Sequence, residues 1–187
     1  MKKLCFLVLM PVLAGCLSAT VPAISYWMLD YAGEQSVSST PRHGVVRIAQ
    51  VVVAAPYDSS RMTVLRTDGT VAFDPYNEYA AQPSSLLKGV VRDAAMGSGL
   101  FESVVGASSA MTTAVSLEVV VTRLALDCRE EGERRAVASV LVRMTDRRGS
   151  DVSASGAGAA DASNGNYGKA LSSAVSAALI EAFGKIK

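Results

Sequence analysis

The sequence predicts an α+β fold, a two-layer sandwich in which two helices pack on one face of a mostly antiparallel sheet. Three observations carry this expectation. Residues 113–128 and 136–144 alternate apolar and polar side chains, the period-2 pattern of half-buried strands. Windows 83–97 and 167–183 place apolar residues at helical spacing. The order is hairpin then helix, followed by strands then helix, which points to segregated rather than alternating elements.

Each element has its own local warrant. Ser25-Tyr26-Trp27-Met28-Leu29 is rich in aromatic residues and reads as a strand. Residues 33–40 are polar and Ser-rich, a loop closed by Pro41. Residues 45–53, Val-Val-Arg-Ile-Ala-Gln-Val-Val-Val, form a β-branched strand ended by Pro56. Residues 62–66 and 70–73 flank Thr67-Asp68-Gly69, a hairpin signal, with Pro75 expected to stop the second strand. Pro83-Ser84-Ser85 opens a helix, a serine serving as its cap. Leu86, Leu87, Val90, Val91 and Ala94 make its apolar face, and Gly97 and Gly99 suit its end. Residues 100–105 follow as a short strand or an extended return.

Val115, Leu117, Val119 and Val121 then alternate until Thr122, after which the phase moves to Leu124, Leu126 and Cys128. A one-residue slip of this kind is what a β-bulge produces. Ala136, Ala138, Val140, Val142 and Met144 mark the next strand. Residues 151–160 are the last strand, built almost wholly from Ser, Ala and Gly, so that a helix or another backbone can lie close to it. Asn164 or Asn166 caps a final helix whose stripe is Tyr167, Leu171, Ala174, Val175, Ala178, Ala182 and Phe183.

The N-terminus has a different character. Met1-Lys2-Lys3 precedes an apolar run over residues 4–14, a basic start and greasy core typical of a secretory signal. The run is too short to span a bilayer, which takes about 20 residues. Leu13, Ala14, Gly15 and Cys16 stand in an order that resembles a bacterial lipobox, in which the signal is removed and the cysteine becomes a lipidated N-terminus. An ordinary signal with an incidental cysteine is the alternative. The division expected is therefore a signal peptide over 1–15, a lipidated tether over 16–24 and one domain over 25–187. The tether spans roughly 28 Å at most beyond Cys16. Leu17, standing where an Asp would favour inner-membrane retention, favours the outer membrane.

Of 18 basic and 17 acidic residues, Lys2 and Lys3 precede Cys16, so the remainder is close to neutral and carries no basic stripe for nucleic acid. With Cys5 in the signal and Cys16 acylated, Cys128 is the one remaining thiol, and it reads as a small core hydrophobe. His43, the single histidine, reads as a solvated loop residue, and there is no Gly-x-Ser-x-Gly elbow. Glu130, Glu131 and Glu133 read as a solvated hairpin tip rather than a cation site. Gly97-Ser98-Gly99 follows a helix, whereas a phosphate cradle precedes one. The reading is therefore of a non-enzyme with neither metal nor cofactor, apart from the covalent lipid on Cys16. The aromatic group Tyr26, Trp27, Tyr57, Tyr76 and Tyr79 supplies the candidate partner surface, with Tyr57, Tyr76 and Tyr79 its chosen members and Trp27 assigned to the core.

The motifs, taken together, resemble the auxiliary lipoproteins of ABC-type transporters, the PqiC-like group. The resemblance lies in the lipobox and short tether, in Tyr26-Trp27-Met28-Leu29-Asp30, in Pro56-Tyr57-Asp58 after a Val/Ile strand, and in Tyr76-Asn77-Glu78-Tyr79-Ala80 before a helix. Tyr79 replaces the family's Trp. The resemblance implies an outer-membrane lipoprotein on the periplasmic face, a docking subunit of a lipid-transport system. Its partners there would be a periplasmic MCE-domain protein, a permease and an ATPase, with self-association compatible. The competing reading is an envelope lipoprotein that regulates cell-wall synthesis or assembles a secretion complex.

Overall fold

A computed structural model describes residues 22–34 and 40–186. The signal, the lipobox residues Leu13, Ala14 and Gly15, and Cys16 lie outside the described residues, as does most of the 33–40 loop. The elements run β1 (Ser25–Trp27), β2 (His43–Val53), β3 (Arg61–Arg66), β4 (Val71–Tyr79), α1 (Pro83–Gly97), β5 (Phe101–Val105), β6 (Val115–Cys128), β7 (Arg135–Asp146), β8 (Asp151–Asp161) and α2 (Tyr167–Lys185). The fold is α+β, as expected.

Strand β6 organises the sheet. One of its sides carries β7 along its whole length, with β8 beyond. Its other side is shared: β2 pairs with the first half, Val46↔Val115 to Val53↔Val121, and β3 with the end, Leu126 to Cys128. The register shift between Val121 and Arg123 falls between these two partners, where the sequence phase slips. It returns Leu124 and Leu126 to the face already used by Leu117, Val119 and Val121, all fully buried. Beyond β2 lies β5, and beyond β3 lie β4 and β1.

The sheet is mixed. Its longest ladders, β6–β7 and β7–β8, are antiparallel, and so is the β3–β4 hairpin. The pairs β1–β4, β2–β5, β2–β6 and β3–β6 are parallel. In the β3–β4 hairpin Gly69 has φ +80° and its amide donates to Arg66 O, while Asp68 accepts from the Thr70 amide and hydroxyl. Asp-Gly serves there because the third loop residue must turn left-handed, which glycine does at no steric cost.

Two local expectations are corrected. Pro75 does not stop β4, which continues to Tyr79. Between Thr63↔Phe73 and Arg61↔Glu78 the strand makes an excursion, so Pro75, lacking an N–H, is not asked for a ladder bond. The Asp74 carboxylate holds that excursion by accepting from the amides of Tyr76 and Asn77. Nor does a serine cap α1. The N-cap is Gln82, whose side chain makes no capping bond; the Asp58 carboxylate, from the β2–β3 connection, accepts from the Ser84 amide at 3.0 Å and its hydroxyl at 3.1 Å. A long-range carboxylate thus satisfies an orphan donor at the positive helix end. In α2 the cap is Asn166, accepting from the Lys169 amide.

Both helices lie on one face of the sheet and touch each other, α1 over β2 and β5, α2 over β6, β7 and β8. The expected α2 stripe is buried from Tyr167 to Phe183. The small-residue strand β8 brings the helix backbone close, at Gly156 and Gly158. The chain after β1 then crosses α2 from outside: the amides of Asp30 and Ala32 donate to Ser172 Oγ (3.0 Å) and Ser176 Oγ (2.9 Å), two buried serines. Helix α2 is therefore held between sheet and strap.

Strand β8 is a sheet edge, and its outward groups are partly covered by the same helix. The Glu181 carboxylate accepts from the Ala157 amide (2.8 Å), and Lys185 Nζ donates to Ser155 O (2.9 Å) and to Glu181 (2.6 Å). Charged side chains on an exposed edge oppose strand addition by another chain. The Ala157 amide, then Lys185, holds the Glu181 carboxyl below its ordinary range. A lowered folded value means that the clasp contributes above about pH 4.3 and weakens as pH falls through the folded value. Hydrogen-exchange protection of the Ala157 amide is expected to persist at pH 6, to fall away as the pH drops through the lowered folded value, and to be absent at pH 6 in Glu181→Ala. Unchanged protection in that variant would show that the carboxylate does not cover the edge.

Candidate functional site

The motifs that carry the family resemblance lie fifty residues apart in sequence and side by side in space. Strand β1 pairs in parallel with the end of β4, Tyr26 opposite Glu78 and Trp27 opposite Tyr79. Trp27 turns towards the helices: its ring lies 6.1 Å from Tyr167 and over Gly168, and Nε1 donates to Asn77 Oδ1 at 2.8 Å. This is the core role assigned to it. Tyr167 also receives the Arg134 guanidinium, which lies over its ring and donates to its hydroxyl.

The neighbours of Trp27 face solvent. Tyr26 is 64% exposed and Met28 53%, and Ile24, just before β1, is exposed too. Tyr76, in the β4 excursion, is 46% exposed, and Phe73 and Val71 of the same strand are also open. Of the three residues chosen from sequence, Tyr76 is thus a surface residue, whereas Tyr57 is half-buried against the core.

Tyr79 is a correction. It is 3% exposed, part of the core and paired with Trp27 across the β1–β4 ladder, and so offers no surface to a partner. Burial raises its hydroxyl pKa, and the hydroxyl finds no hydrogen-bond partner. An unsatisfied buried hydroxyl costs about 1–3 kcal/mol. Tyr79→Phe is therefore expected to leave stability unchanged or raise it by about 1 kcal/mol, read by urea unfolding; a loss above that size would mean the hydroxyl is bonded. Period-2 alternation could have identified the outward residues: with Trp27 and Leu29 facing in, Tyr26 and Met28 must face out.

The remaining chemistry-bearing residues do not converge. His43 is the first residue of β2 rather than a solvated loop residue; its ring is half-buried 5.8 Å from Phe101, and Nε2 is buried without a partner. Glu130, Glu131 and Glu133 are exposed at the β6–β7 turn. Nearby, Arg129 pairs with Asp127 at 2.6 Å and holds that carboxyl below its usual range. Among the described residues no group of three or more His, Cys, Asp and Glu is placed to hold a metal. Cys128 is a free, half-buried thiol at the end of β6, in a 110 Å³ cleft with Val64, Phe73 and Leu126. No described helix is long and apolar enough to cross a membrane.

The fold has solved counterparts. The crystal structure of protein XCC0632 from Xanthomonas campestris, of the DUF330 family, superposes with a TM-score of 0.62 at 17% identity, covering 80% of this chain and 88% of that one. A second crystal structure, of an uncharacterized protein, gives 0.60 at 16% identity over 80% of this chain and 90% of its own. The PelC dodecamer from Paraburkholderia phytofirmans gives 0.43 at 11% identity, over 80% and 94%. No protein-family model matches the chain, and no curated protein matches it. The first two likenesses establish a shared fold.

Proposed function

We propose that this chain is an outer-membrane lipoprotein of the PqiC-like kind, anchored through Cys16, which serves as a non-catalytic docking subunit of an MCE-linked lipid transporter. The observation that carries this reading is the pairing of β1 with β4. It brings Tyr26-Trp27-Met28-Leu29-Asp30 and Tyr76-Asn77-Glu78-Tyr79-Ala80, the two stretches on which the resemblance rests, into one sheet margin. That margin presents Tyr26, Met28 and Tyr76 to solvent beside the entry of the tether. Exposed Tyr and Met are residues enriched in protein interfaces. The fold shared with a DUF330 protein supports the reading at the level of architecture.

Docking would use binding energy concentrated in a few aromatic anchors. A photo-crosslinking amino acid at position 76 or 26 in living cells is expected to capture an MCE-domain protein, whereas the same group at Arg148, on the exposed β7–β8 turn at the opposite end of β6, is not. Capture from neither margin position, with the variants stably anchored, would overturn the reading.

A further inference from the structure

We propose that the groove beside helix α1 binds an anionic single-chain amphiphile, with its tail on the apolar floor and its carboxylate or phosphate head between Lys88 and Arg92. The groove encloses about 580 Å³ between the α1 flank (Lys88, Gly89, Arg92), the middle of β2 (residues 48–51) and the turn after β5 (residues 106–108). That volume falls within the roughly 300–1,000 Å³ of small-molecule sites.

Three departures from local rules converge there. Gly89 sits in the interior of α1, where glycine costs about 1 kcal/mol relative to alanine. Packing does not demand it, because a Cβ at that position would meet no atom within 4 Å. The space a side chain would take is the groove. Lys88 and Arg92 stand at i and i+4 on the helix, a like-charge spacing that is mildly destabilising unless an anion lies between them. Strand β2 shifts register against β6 between Ile48 and Gln50, and Ala49, at the shift, lines the groove. Irregular pairing of this kind recurs beside functional sites. Sequences that specify one fold break local rules mainly where function requires it.

The chemistry of the walls selects the ligand. The ionisable side chains lining the groove are cationic, Lys88 and Arg92, and the acidic side chain next in sequence, Asp93, pairs with Arg92 Nε at 3.0 Å. Both members of that pair are exposed, and such pairs contribute about 0–1 kcal/mol. The contact leaves the two terminal guanidinium nitrogens for an incoming acceptor, and guanidinium matches carboxylate and phosphate geometry. Ile48, Ala49 and Val51 give the floor its apolar character, which a bare inorganic anion would leave unused.

The test uses the purified full chain and radiolabelled dodecanoate below its micellar concentration, with dodecanol and inorganic phosphate as separate arms. The expected result is one saturable dodecanoate site, with dodecanol and phosphate each at least tenfold weaker. Gly89→Leu should abolish binding while leaving the thermal midpoint unchanged or higher, since it removes a helical glycine and meets open space. Lys88→Gln with Arg92→Gln should weaken dodecanoate at least tenfold and leave dodecanol unaffected. Absence of saturable binding would overturn the proposal. So would dodecanol or phosphate binding as tightly as dodecanoate, or Gly89→Leu binding normally. A change in oligomeric state in Gly89→Leu would overturn it too, since the groove would then be a contact between copies of this chain.

Discussion

Gly158→Ala is expected to destabilise the domain by at least about 3 kcal/mol, the upper range for overpacking a close-fitted interior, and Gly156→Ala by as much. A Cβ on Gly158 would stand 2.1 Å from Ala174 O and 2.9 Å from Ala178 N. On Gly156 it would stand 1.9 Å from Ala178 O. These are backbone atoms of α2, and no rotamer change can move them. The helix would have to lift from β8, opening the contact made by Ala174, Ala178 and Ala182, all fully buried. The strap across the far side of α2, tied through Ser172 and Ser176, resists that movement. Alanine is otherwise better than glycine in a strand, so the sign of the effect isolates the helix approach. Ala159→Ser, on the exposed positions of the same strand, should stay within about 0.5 kcal/mol. For a domain of this size the glycine variants should melt roughly 6–12 °C lower, at about 2–4 °C per kcal/mol. A shift within the range of the serine control would mean that α2 is not seated on β8 in this way.

The period-2 and helical patterns made most of this fold legible. The alternation of Val115 to Val121, its slip at Thr122 and the composition of residues 151–160 each pointed to a feature the structure contains, because each is a local consequence of burial on one face. The β3–β4 hairpin was legible for the same reason: Asp68 and Gly69 act within three residues of each other. The parallel pairs were not. Val46 meets Val115 and Val64 meets Leu126 across long stretches of chain, and a parallel pair needs no turn residue that would announce it. Asp58 as the cap of α1 was hidden likewise, 26 residues from the amide it serves. In the candidate site, Tyr76 and Tyr79 looked equivalent because both are tyrosines in one aromatic stretch. The excursion held by Asp74 exposes the first, and pairing with Trp27 buries the second. Asp74-Pro75 marks the excursion locally but reads as a strand end, because nothing near it announces that the strand resumes to Tyr79, and the partner strand has no signature there at all.

Cys16→Ala is expected to move the protein from the membrane to the soluble envelope fraction and to abolish palmitate labelling. The expectation rests on the lipobox reading of Leu13, Ala14, Gly15 and Cys16. A single acyl chain binds membranes only marginally, with an association constant near 10⁴ M⁻¹, while each further buried CH₂ adds about 0.8 kcal/mol. A cysteine carrying two or three chains should therefore hold through repeated washing, and its loss should be close to complete. The outcome also separates two roles for the margin at β1. Ile24, Tyr26 and Met28 are exposed at and just before β1, and aromatic and aliphatic side chains there have some affinity for a lipid surface. If that patch were a membrane contact in its own right, Cys16→Ala would stay partly bound and would release only when Tyr26→Ser and Met28→Ser were added. If the patch is a protein docking surface, as proposed, Cys16→Ala alone should release the protein. The Tyr26 and Met28 changes in the anchored protein should then lower crosslinking to the MCE-domain partner while leaving membrane retention intact. Full retention of Cys16→Ala, with label still incorporated, would remove the lipid anchor on that cysteine and with it the placement of this domain against the outer membrane.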